Sequence, residues 1–134
     1  MPMPDRKGAE QMAKPTYEDA ALIVQLAQWG SASGVDEAKN WLRSDQFTPD
    51  PKEFVEKYPP GSEGQAHVAK VGAWFETVGT LYKHGLFNEE LLFDWLATHS
   101  VWDRVKGIAL GYREETGDAA MFENFEAMAK AQKG

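Results

Sequence analysis

A chain of 134 residues with 43% hydrophobic and 26% charged side chains is long enough to bury one core and too apolar to remain disordered. Its net charge of −7 lacks the basic face that a phosphate backbone requires, so no nucleic-acid partner is expected. The absence of cysteine excludes disulfides and thiolate metal sites. No apolar run reaches membrane-spanning or signal-peptide length, which predicts a soluble protein with no membrane span and is compatible with a cytoplasmic address.

Residues 1–15 carry three prolines and scattered charges without hydrophobic period, and are expected to form a flexible arm ahead of one helical domain at 16–131. Thr16 followed by Asp19 predicts a capped helix whose buried face is Leu22, Ile23, Leu26 and Trp29, with Gly30 to Gly34 as its stop. Val35, Ala38, Trp41 and Leu42 predict a second, shorter helix ending near Asp45. Asp50-Pro51-Lys52-Glu53 is the clearest cap, and it opens a short helix that Pro59-Pro60-Gly61 ends.

Ser62 to Gly85 holds the longest unbroken helical period. Val68, Val71, Gly72, Phe75, Val78, Gly79 and Tyr82 share one arc, with Trp74 and Leu81 on its flank, which makes this the expected central helix. Asn88 caps a helix so rich in Leu, Phe and Trp that deep burial is expected. Ser100 and Asp103 suggest the cap of a long helix to about Thr116, and Asp118 that of a last helix burying Met121, Phe122, Phe125 and Met128. No stretch alternates like a strand, so the fold class is all-α: a compact bundle of six or seven helices around one long central helix.

Several short patterns in the second half resemble a bacterial family of small helical domains of unknown function. They are Trp74-Phe75-Glu76 with Gly79, Leu81-Tyr82-Lys83-His84-Gly85-Leu86, Glu90-Leu91, Trp102 with Arg113 eleven residues on, and Phe122-Glu123-Asn124-Phe125-Glu126. The resemblance spans about Ala66 to Ala129; it implies a helical fold and no activity, cofactor or substrate.

The chemistry-bearing residues form no recognisable constellation. His67, His84 and His99 have neither the i, i+4 spacing of a zinc helix nor the Glu-x-x-His of a di-iron bundle, so no metal is expected. No serine sits in a nucleophile elbow and no glycine-rich loop follows a strand, so no cofactor is expected either. Gly72 and Gly79 each cost about 1 kcal/mol relative to Ala inside a helix. They predict close approach of another helix, within the chain or across a two-fold axis, or access for a ligand. Trp74 and Trp102, at the edges of their stripes, are candidates for a groove or an interface. Glu76 beside the apolar stripe needs a partner, and Arg113 is the expected one, in a structural ion pair between the two long helices, with Arg104 as second choice. These features favour a non-enzymatic protein-interaction or assembly module, with a protein partner that includes a second copy of itself. The alternative is a small-molecule sensor using the bundle interior.

Overall fold

In a computed structural model, which describes residues 14–133, the longest hydrophobic period in the sequence becomes the longest helix. Among the described residues seven helices follow one another: α1 (Tyr17–Ser33), α2 (Val35–Leu42), α3 (Pro51–Lys57), α4 (Glu63–Lys83), α5 (Glu89–Trp95), α6 (Thr98–Thr116) and α7 (Glu123–Lys133). The described residues make an all-α bundle, and α4 is its axis, packed against α2 and α7 while α6 packs on α7. The expected arm falls almost wholly on residues 1–13, outside the described ones.

Four helix starts follow local chemistry. Thr16 and Asp19 form a full capping box, and the side chains of Asp50, Ser62 and Asn88 accept from Lys52, Gln65 and Leu91 amides. α4 buries Val68, Val71, Trp74, Phe75 and Val78, the stripe its period predicts. Phe54, Leu42, Leu92, Ile108, Phe125 and Met128 fill the remaining core from the other helices.

Five expectations are corrected. α1 continues through Gly30 and stops only at Gly34, whose φ of 84° is the left-handed C-cap. Its inward arc centres on Leu26 and Gly30, where the Trp74 indole lies, so Trp29, about 100° round the wheel from Gly30, stays 44% exposed instead of entering the core. In α5 only Leu92 is fully buried, because seven residues make a short helix at the edge whose Leu91, Phe93 and Trp95 are covered on one side. α6 begins at Thr98 without a side-chain cap of its own; Ser100 Oγ donates to the Ala97 carbonyl. Asp118 caps only a turn, accepting from Ala120 N, and α7 waits until Glu123, after Phe122 has turned the chain at φ 58°.

Candidate functional site

Family-like residues scattered over fifty positions meet at the first turn of α7. Its orphan amides, those of Asn124 and Phe125, donate to Glu76 Oε1 on α4 at 2.9 and 2.8 Å. A carboxylate at this place satisfies two donors and meets the positive end of the helix dipole, so Glu76 is an N-cap supplied from another helix. Gly79, one turn on, leaves room for that approach: a Cβ there would lie 2.6 Å from the Asn124 carbonyl oxygen. At Gly72 a Cβ would lie 2.5 Å from Phe122 Cζ, so the same face also admits the ring of the turn residue. Phe75 stacks on Phe125 with centroids 4.8 Å apart and planes 13° from parallel, and Trp102 meets Phe125 edge-on at 5.1 Å.

Arg113 closes this clasp from α6. Its Nε donates to the Met121 carbonyl at 2.8 Å, its Nη1 to Glu126 Oε1 at 2.8 Å, and its guanidinium lies 5.8 Å from the Trp102 ring centroid. No ion pair within 4.0 Å joins Glu76 to Arg113, so the expected pair is replaced by two contacts to the same helix. The physical reason is that a helix N-terminus offers Glu76 two amides and a partial positive charge, leaving Arg113 to the acid one turn further along. Arg104, the second choice, instead donates to the Leu42 carbonyl at the end of α2, through Nε at 3.0 Å and Nη2 at 2.6 Å.

The four residues expected at a groove or interface turn inward. Trp74 is 3% and Trp102 6% exposed, and Trp74 Nε1 donates to the Leu26 carbonyl at 3.0 Å. The glycines Gly72 and Gly79 are buried by α7 and its preceding turn, within the chain. Trp102 lines a surface groove of about 220 Å³ between α6 and α7 whose rim includes His99, Lys106, Leu110 and Lys130. Two of its lysines are paired: Lys106 lies 3.6 Å from Asp103, and Lys130 2.9 Å from Glu126. Lys130 and Arg113 hold the Glu126 carboxyl below the ordinary carboxylate range. The histidines lie apart. His67 is buried against Trp41, His84 ends α4, and His99 meets Gln132 Oε1 through its amide at 3.0 Å and its ring Nδ1 at 3.1 Å.

A surface that periodicity did not single out is the outer face of α1. Tyr17 is 94% and Val24 54% exposed, and Ala20, Ala21, Ala27, Gln28 and Ser31 share that side. Between Asp19 and the end of the helix there is no charged residue, yet only Leu26 and Gly30 are buried. The signal was in the sequence as that missing charge. It went unread because Leu22, Ile23 and Leu26 already account for one apolar side.

Neither a curated protein nor a solved structure matches this chain significantly. A family does match, over residues 15–132, and this covers every residue of the clasp as well as α1. The chain therefore belongs to the family described as a domain of unknown function, DUF4760.

Proposed function

We propose that the chain is a non-enzymatic protein-interaction module that docks through the outer face of α1. The observation that carries this reading is the exposure of Tyr17 and Val24 on a helix whose outward side bears no charge. A helix that faces only water ordinarily shows polar and charged residues on that side, and a contiguous exposed apolar stripe marks a contact surface. The clasp supports the same division of labour, since Glu76, Arg113 and Trp102 are engaged with the chain's own helices.

Affinity capture with the wild-type chain and with Val24→Glu tests it. Val24 is more than half exposed, so the variant should melt within about 1 °C of wild type, as surface substitutions usually do. Partners recovered by the wild-type chain should fall at least tenfold with the variant. Equal recovery of every partner by the two proteins would overturn docking through α1.

A further inference from the structure

We infer that the groove between α6 and α7 binds a small hydroxylated aromatic carboxylate, independently of what docks on α1. The groove is built from two stripes, one on each helix. His99, Asp103, Lys106 and Leu110 follow at one-turn steps along α6, and Glu126, Lys130 and Lys133 do so along α7. Trp102 and Ala129, both buried, line it from beneath. A volume of about 220 Å³ is less than a drug-sized ligand needs and suits a single substituted ring.

Charge sets the class of ligand. The chain carries −7 overall, yet three lysines line this groove against two acids. Glu126 keeps the Arg113 contact at 2.8 Å whichever way Lys130 turns, and Lys130, 72% exposed and paired only with its neighbour on the same helix, is held weakly. Lys133 has no acid within 4.0 Å among the described residues. A carboxylate therefore finds cations here while Glu126 stays neutralised.

His99 asks for a hydroxyl. Gln132 Nε2 donates to the Phe93 and Leu96 carbonyls, so its Oε1 is the atom turned to His99, where it accepts the backbone amide at 3.0 Å. The His99 Nδ1, 3.1 Å from the same oxygen, must then carry the ring proton. Neutral His99 is left with Nε2 as a bare acceptor, without a protein partner among the described residues, on a ring that lines the groove. A hydroxylated aromatic acid meets all three demands: its carboxylate pairs with lysine, its hydroxyl donates to Nε2, and its ring lies over Trp102 and Ala129.

The probe is 4-hydroxybenzoate, titrated into the isotope-labelled wild-type chain at about pH 8, above the ordinary histidine range. Amide signals around His99, Lys106 and Lys130 should shift and saturate with a Kd of about 1 mM, ordinary for a ligand of about ten heavy atoms. Benzoate, which lacks the donor, and 4-hydroxybenzamide, which lacks the charge, should each bind about fivefold more weakly. Lys133→Glu, at an exposed position, should weaken 4-hydroxybenzoate by a similar factor, whereas Val24→Glu should bind it as wild type does. In the free chain, the ring nitrogen signals of neutral His99 should place the proton on Nδ1. The inference is overturned by the absence of saturable shifts up to about 10 mM, by equal affinity for benzoate or 4-hydroxybenzamide, or by a His99 proton on Nε2. Loss of binding in Val24→Glu would move the site to α1 and overturn it as well.

Discussion

The two halves of the bundle start their helices differently. α1, α3, α4 and α5 each begin on a residue immediately ahead of them: Thr16, Asp50, Ser62 and Asn88. α6 and α7 begin on residues from elsewhere. The His99 amide, in the first turn of α6, donates to Gln132 Oε1 near the end of α7, and the first amides of α7 donate to Glu76 of α4. Gln132 Nε2 also donates to the Phe93 and Leu96 carbonyls, at 3.3 and 2.6 Å, and so closes the end of α5. A helix with a local cap forms its first turn wherever its sequence goes, whereas α6 and α7 complete their first turns only once α4, α6 and α7 are assembled. The C-terminal half should therefore open as one cooperative unit, and α3 should be able to fray alone.

The sharpest way to break this contrast is Glu76→Ala. Two partly buried amides would lose a charged acceptor, and at about 1–3 kcal/mol for each orphaned donor the loss should reach about 3 kcal/mol in urea unfolding. Glu76→Gln keeps an acceptor oxygen and forfeits only the charge at the helix end, so it should cost about 1 kcal/mol. Hydrogen exchange should quicken throughout α6 and α7 in the Ala variant. Quickening confined to the first turn of α7 would show that the two helices are not coupled.

Local caps supply the smaller effect. Asp50→Ala removes one exposed acceptor from Lys52 N and should cost about 1 kcal/mol or less, with faster exchange limited to α3. Were Asp50→Ala as costly as Glu76→Ala, or its effect felt in α7, the distinction between the halves would collapse.

That distinction also decides what was legible beforehand. Helix number, the central helix and the four local caps were written in short windows, because period and capping chemistry act over a few residues. The starts of α6 and α7 were misplaced at Ser100 and Asp118, since the groups that cap them, Gln132 and Glu76, lie 33 and 48 residues away from the amides they bind. The family-like pattern did contain the clasp: Phe75, Glu76, Gly79, Trp102, Arg113 and Phe125 all take part. Pairing them by charge joined Glu76 to Arg113, because side-chain charges are visible in a sequence and the partial charge of a helix end in three dimensions is not. Residue type likewise says that Trp74 and Trp102 are large and amphipathic, and only packing says which way they turn.

The finest test concerns the second acid of the clasp. Glu126 accepts from Lys130 Nζ at 2.9 Å and Arg113 Nη1 at 2.8 Å, which stabilises the ionised form and lowers its pKa from the ordinary value of 4.5. A carboxyl whose folded pKa is depressed adds stability that is fully present above its unfolded pKa and is lost as pH falls through the folded one. The stability gap between wild type and Glu126→Gln should thus be constant from pH 7 down to about 5 and close as the pH drops below 4.5. Taking the difference cancels the other carboxylates, which titrate in both proteins. The two cations can be separated by salt: Lys130 is 72% exposed and its share should fade in 1 M NaCl, where the Debye length is about 3 Å, while Arg113, at 15%, should keep most of its own. A gap that persists unchanged to pH 3 would mean that Glu126 acts through packing alone and that Arg113 holds α7 chiefly through the Met121 carbonyl.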